Sequence, residues 1–531
     1  MGRFAPLAIA LIGVVIAVGA YLRALNFPFI SDDSFYIVYN AKLAGLNLAD
    51  VWRFFVEPYN PYEFLPLRDF SYWLDMALFG VSPAAFRIHN ILLYLLCCLL
   101  VYGVMLKLWR YFKQEDISAP WVAAMVTALF AIHPSHVEAV VWVSGRKDVL
   151  SGAFALLSLW CAVSARRERG ISSRYAMAAL VALLAAMLSK ATTIVVAPVI
   201  AMLWIMFWRD IPVSCRRRTL LLWPLTSLVL AACVAPIFMG YSTVKLPAYF
   251  GVEAYTRALA VLGWMLRLSI SPEGRHYIYP VFEDSWLWGM VALGVMVLLA
   301  AVAGIVMLLR KRSIEGFSLV VFALLCIPYT QFSPYITHSL VTDRFLFLAV
   351  WPAMLLLVAL MWRLKPAPRM IFLLILMLPW VFQTIERPRD WRSYEALLDV
   401  ELHSYPGFYF PVFQNIEERL SKGQYREARE MADTISDPEV RNIVVKLVEG
   451  AYAVAVDAVQ TGDPRDAMAR LRSLGPLLRQ PLAQAQWNTP MFSFWLSSRS
   501  VLSVEWETLG RNFPNDAAVR NEVRARQEAG L

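Results

Sequence analysis

Two adjacent aspartates, Asp32 and Asp33, follow the first apolar run, where Asn26-Phe-Pro-Phe-Ile-Ser-Asp-Asp33 turns abruptly polar and acidic. Paired carboxylates suit general-base work, one taking a proton from a hydroxyl while its neighbour orients it or tunes its pKa. They suit equally an exposed acidic turn ahead of a helix, which Asp and Ser cap well. A second group lies in His133-Pro-Ser-His-Val-Glu138. His133, His136 and Glu138 offer three potential metal ligands without an evident fourth; the alternative is that they hydrogen-bond a substrate or the acidic pair and fix a helix end. Four cations, Arg146, Lys147, Lys190 and Arg344, could clamp the phosphate of a lipid-linked donor. They could also be interfacial snorkels. Asp148, His338 and Asp343 lie among them, Asp343 beside Arg344 as a possible neutralising partner. Glu57, Glu63, Arg68 and Asp69 could contact an acceptor or face water, and for Glu57 water is favoured.

The elements that must position these groups are membrane spans. Of the 531 residues 59% are hydrophobic and only 17% charged, with a mean hydropathy of +0.54. A soluble domain of this length does not have that composition; a polytopic membrane protein does. The net charge of +9 suits cytoplasmic loops facing anionic lipid, not nucleic acid. Arg166, Arg167 and Arg169, then Arg216, Arg217 and Arg218, then Arg310, Lys311 and Arg312 all flank apolar runs and read as topology signals. None of the six cysteines has zinc-ligand spacing, and none lies in the C-terminal region.

Apolar runs and basic flanks predict an all-α protein with about eleven crossings. They fall at 5–24, 88–108, 119–133, 148–165, twice within 174–208, then at 219–239, 286–309, 315–333, 343–363 and 369–386. Reading 174–208 as a hairpin about Ser189-Lys190 keeps every later basic cluster cytoplasmic. Arg3 places the N-terminus inside, and the first run is expected to be an uncleaved anchor. The apolar stretch 255–272 carries Arg257 and Arg267 and is expected to be re-entrant or interfacial. With this topology the chemistry-bearing residues gather at the outer membrane edge, where ionisable groups are costly unless paired or functional. Residues 25–87 form the first outer loop, within a membrane domain spanning 1–386. Residues 387–531 are polar and helical in pattern. There Gly423-Gln-Tyr-Arg-Glu-Ala-Arg-Glu-Met-Ala432, loosely repeated at Gly462, has the spacing of a tetratricopeptide helix pair, although a plain helical bundle fits too.

In order along the chain, several motifs resemble those of the transmembrane and tetratricopeptide-repeat O-mannosyltransferase-like family. They are Phe27-Pro-Phe-Ile-Ser-Asp-Asp33, Leu65-Pro-Leu67, Leu74-Asp-Met-Ala-Leu-Phe-Gly80 with His89-Asn90, His133 to Trp142, Gly145-Arg-Lys-Asp148, Leu188-Ser-Lys190, Asp343-Arg-Phe-Leu346 and Arg389-Asp-Trp391. The resemblance implies a C-type glycosyltransferase fold with an outward-facing site, a polyprenyl-phosphate-linked sugar donor, mannose favoured, and a protein acceptor met through the C-terminal helical domain. It implies a base from the acidic pair, Asp33 ahead of Asp32. His136 and Glu138 would line the site, and Arg146, Lys190 and Arg344 would hold the phosphate. A departure is Phe64-Leu-Pro-Leu67, where the family has an arginine that Arg68 might replace; another is Ala191, where the family is acidic. No cofactor is required for such a step, the alternative being a divalent metal at Asp32/Asp33 or at His133/His136/Glu138. The expected location is a bacterial inner membrane with a periplasmic C-terminal domain. Rival readings are a lipid or envelope-glycan acceptor, oligosaccharide transfer from a diphosphate-linked donor, and a transporter or non-catalytic scaffold.

Overall fold

The computed structural model describes residues 5–38, 40, 43, 47–57, 63–114, 116–168, 170–212, 252–271, 279, 284–330, 341–404, 409–435, 438–479 and 509–528. They form an all-α membrane protein whose only described strands are a short hairpin, Arg166–Arg167 with Gly170–Ile171. The chain divides into two compact units, Met1–Ser393 and Tyr394–Leu531. Residues 387–393 therefore lie in the first unit.

The helices of the first unit are α1 (Ala5–Leu22), α2 (Pro66–Phe79), α3 (Pro83–Lys113), α4 (Ala119–Ala131), α5 (His136–Val141), α6 (Arg146–Ser164), α7 (Ser173–Ser189), α8 (Val196–Asp210), α9 (Val252–Ile270), α10 (Asp284–Lys311), α11 (Ile314–Cys326), α12 (Val350–Met361) and α13 (Pro366–Glu386). Six segments among the described residues are long and apolar enough to cross a membrane: Ala5–Leu22, Pro83–Lys113, Val143–Ser164, Ala191–Asp210, Leu287–Lys311 and Pro366–Arg392. α3 shows how sequence sets such an element. Ser82 accepts a hydrogen bond from the Ala85 amide, Pro83 fits the first turn, and Arg110 and Lys113 close the last. One face, with Asn90, Tyr94 and Val101, is buried, while Ile88, Leu92, Leu96 and Leu99 form an exposed apolar stripe suited to lipid.

The helices alternate in direction. At one end Tyr111 donates to Asp210 (2.9 Å), Arg312 pairs with Asp210, and Arg363 donates to Glu315 (2.7 Å). At the other end lie the entry to α3, the turn between α4 and α5, the start of α6, the Lys190 corner, the approach to α12 and the exit of α13. Residues 174–208 break at Lys190 into α7 and α8. Of residues 255–272, expected to be a re-entrant or interfacial helix, those up to Ile270 belong to α9, which packs antiparallel along α10 and is not among the segments long and apolar enough to cross a membrane. Added Cβ atoms at Gly263 and Gly294 would strike the carbonyls of Met290 and Leu259, so the two backbones touch there. The expected crossing at 219–239 and the cluster Arg216, Arg217 and Arg218 lie outside the described residues.

Among the described residues the second unit is a run of helices: α14 (Tyr394–Ser404), α15 (Tyr409–Ser421), α16 (Tyr425–Asp433), α17 (Pro438–Tyr452), α18 (Ala458–Thr461), α19 (Arg465–Arg479) and α20 (Ala517–Glu528), of which α14 to α17 pack in sequence. Gly423 takes a left-handed conformation, φ 72°, after α15. Ala428 and Ala432 on α16 are fully buried against Phe413, Ile416 and Val444. Small residues where helices cross closely are the physical content of the tetratricopeptide-like spacing. A second core gathers Ala458, Ala467, Leu471, Leu509 and Val519.

Candidate active site

The first loop is fastened by Arg87. Its buried guanidinium donates to the carbonyls of Val141 (2.9 Å), Pro28 (2.8 Å) and Phe27. That anchor turns Asp33 into the protein. Its Oδ1 accepts from the amide (2.8 Å) and hydroxyl (2.6 Å) of Ser144, and Oδ2 accepts from the Ile30 amide (3.2 Å). Burial pushes Asp33 up to about 6, while Ser144 and Ile30 pull the other way. Ser144 occupies the turn Val143–Gly145, which doubles back so tightly that a Cβ at Gly145 would sit 2.6 Å from the Ala139 carbonyl oxygen.

Asp32 is exposed. Protein nevertheless packs densely around it, and the charged groups gathered about it are here called the recess. That packing raises its pKa, while Lys147, Arg344 and Arg68 lower it. The adjacent aspartates thus have different surroundings, Asp33 buried and hydrogen-bonded and Asp32 exposed.

Three expected cations stand around the recess, each held by a carboxylate. Lys147 Nζ lies 3.0 Å from Glu63, whose other oxygen is 2.5 Å from buried Arg68. Burial opposes the charge on Glu63, but Lys147 and Arg68 hold it well below the usual carboxylate range. Arg68 also bonds Asp69 (2.8 Å) and covers the Tyr36 ring. Lys190 Nζ is 2.5 Å from Asp148 and lies over the rings of Tyr329 and Phe345. Arg344 holds Glu138 twice, through its main-chain amide (2.9 Å) and its guanidinium, which also covers Trp142. Burial pushes Glu138 up to about 7 despite Arg344. Arg344 acts electrostatically on both Asp32 and Lys190, so these groups share one field.

Other expected residues are placed differently. Arg146 is wholly buried and committed, Nε to Asn90 (2.6 Å), Nη1 to Asp75 (2.5 Å) and Nη2 to the Phe86 carbonyl (2.6 Å). It fixes the start of α6 against α2 and α3. His133 and His136 are also fully buried. His133 bonds Ser135 (2.7 Å) and the Ser269 carbonyl, and His136 bonds Tyr94 (3.1 Å). They join spans and do not reach the acidic pair. Asp343 pairs with Arg387 (2.7 Å) and accepts from Tyr279 (3.0 Å), and Glu138 is the partner of Arg344. His338 lies outside the described residues, and Glu57 is exposed. Among the described residues, no group of three or more His, Cys, Asp or Glu side chains is placed to hold a metal ion. Sequence reasoning passed over Ser144, Arg87, Asp75 and Arg387. Arg87 and Arg387 carried a usable signal, a basic residue at the edge of an apolar run, but basic flanks were read as topology alone.

Comparison with known proteins finds several protein O-mannosyl-transferases among the chain's relatives. Protein O-mannosyl-transferase TMTC2 of Mus musculus is 28% identical over 171 residues, 31% of this chain and 20% of that protein. Protein O-mannosyl-transferase TMTC4 of Mus musculus is 31% identical over 167 residues, 28% of this chain and 22% of that one. Human protein O-mannosyl-transferase TMTC1 is 33% identical over 147 residues, 26% of this chain and 16% of that one. The family resemblance carried by the motifs holds. The matched stretches span about a fifth of these transferases' own length. They are animal proteins and lend no support to a bacterial location. No protein-family model and no solved structure matches the chain.

Proposed function

We propose that the chain is a membrane glycosyltransferase that moves one sugar, mannose favoured, from a polyprenyl phosphate to a hydroxyl of a protein acceptor. The observation that carries this reading is the recess itself, where an open carboxylate, Asp32, stands with Lys147, Arg344 and Lys190 at one end of an apolar bundle. The basic clusters at Arg166 and Arg312 lie at the other end. By the positive-inside rule the recess then faces away from the cytoplasm. A C-type glycosyltransferase fold with about eleven spans accommodates the alternation of helices.

In the proposed step the acceptor oxygen attacks the anomeric carbon from the face opposite the phosphate, and the carbon–phosphate-oxygen bond breaks. Asp32 takes the acceptor proton, and the leaving group departs as a polyprenyl monophosphate. The anomeric configuration inverts. Asp33 is a positioning residue that holds the loop through Ser144. Lys147, Lys190 and Arg344 offset charge on the leaving phosphate, a role in which one donor is typically worth roughly 10²- to 10³-fold in rate. Arg146, His133 and His136 act through the scaffold. The helical second unit offers a surface of the repeat type that binds extended peptide.

The test is incubation of purified protein with polyprenyl-phosphate-[³H]mannose and a mixed protein and lipid extract. Label in the protein fraction supports the reading. Label confined to the organic-solvent extract would reassign the acceptor to a lipid.

A further inference from the structure

Among the described residues, the recess has no surplus positive charge with which to hold an anion. Arg68, Lys147, Lys190 and Arg344 are matched by Glu63, Asp69, Asp148 and Glu138, and Asp32 adds a further negative group. A phosphate entering this arrangement meets cations already neutralised, so a carboxylate must give one up. Two pairs are built to do so. Glu138 is anchored independently by the Arg344 main-chain amide at 2.9 Å and keeps its place if the guanidinium swings away. Asp148 engages Lys190 through Oδ1 alone, a single contact for a phosphate to displace, and the ammonium has the Tyr329 and Phe345 rings for support. Both cationic side chains keep about a tenth of their surface exposed, so each can turn toward the recess.

Resting on the donor assignment above, we propose that donor binding is an ion-pair exchange in which the phosphate of the polyprenyl-linked sugar displaces Glu138 from the Arg344 guanidinium and Asp148 from the Lys190 ammonium. The two carboxylates act as counter-anions that hold the cations in place and exclude weaker anions. A phosphodiester carries its charge across the physiological range and offers two free oxygens, one for each cation. Trp142, 5.0 Å beneath the Arg344 guanidinium, loses a cation from its face when the exchange occurs and reports it by fluorescence.

The experiment is titration of the full-length protein in detergent with a short-chain polyprenyl-phosphate-mannose, without acceptor, followed by tryptophan fluorescence. It is run on wild type, Glu138→Gln and Asp148→Asn, each checked for an unchanged melting temperature. Removing the competing charge is expected to tighten binding about tenfold. Either variant that stays folded suffices, because the pairs are separate. Unchanged or weaker binding in a folded variant overturns the exchange and makes the carboxylates simple positioning groups. Absence of saturable binding in wild type and in both variants overturns the donor assignment itself, a result distinct from the previous one.

Discussion

The amide and hydroxyl of Ser144 both donate to one oxygen of Asp33, at 2.8 and 2.6 Å, across 111 residues of sequence. This pair of hydrogen bonds to a buried carboxylate ties the first loop to the turn that launches α6. It also leaves Asp32, the residue before it, as the exposed member of the pair.

The two aspartates should separate by assay. Asp33→Ala leaves the Ser144 amide without its buried acceptor and is expected to cost about 1–3 kcal/mol, read as a lowered melting temperature. Asp32→Asn should leave the melting temperature within a degree or two of wild type, because that side chain is exposed.

Stability should depend on pH through Asp33. Its folded pKa of about 6 lies above the ordinary value of 3.8, so the folded state binds that proton more tightly than the unfolded state. The stabilisation is fully present below pH 3.8 and is withdrawn as pH rises through 6, by at most about 3 kcal/mol. Asp33→Asn cannot ionise and lacks this slope. Its melting temperature relative to wild type should therefore be more favourable at pH 7 than at pH 5, and a constant offset between the two would contradict the assignment.

Arg146 and Lys190 carry the same charge but should fail differently. Arg146→Ala strands buried Asp75 and Asn90, so misfolding or a loss of roughly 3–5 kcal/mol is expected. Arg146→Lys should not rescue it, since a lysine cannot reproduce the forked contacts. Lys190→Ala also strands a buried carboxylate, Asp148, and so loses stability, but the molecules that fold should lose roughly 10²- to 10³-fold in transfer, checked by comparing turnover per folded molecule.

In the second unit, Ala432→Phe overpacks a fully buried position on α16. A loss of about 1–3 kcal/mol is expected. Limited proteolysis of the full chain should then cut within 394–531 while leaving the first unit intact.

Much of this was legible in the sequence because it depended on patterns that survive without coordinates. Hydropathy runs located the helices, and the Ser189-Lys190 corner was found because 174–208 is too long for one span. The residues gathered at one end were found because charges stand out in apolar surroundings. What could not be read was which charge each would meet. Arg146 and Lys147 are neighbours in sequence, yet one turns inward to Asp75 and the other outward to Glu63, a consequence of helical geometry at the start of α6. The family resemblance puts Asp33 ahead of Asp32, and the sequence itself offers no basis for ranking two adjacent identical residues. The burial that ranks them comes from Ser144 and Arg87, both distant in sequence.

The most direct test of the central claim compares sugar transfer by wild type, Asp32→Asn and Asp33→Asn with polyprenyl-phosphate-mannose and a protein acceptor, per folded molecule. The account predicts that Asp32→Asn loses roughly 10²- to 10⁴-fold, while Asp33→Asn keeps substantial turnover in the molecules that fold. Wild-type rates in Asp32→Asn would contradict it.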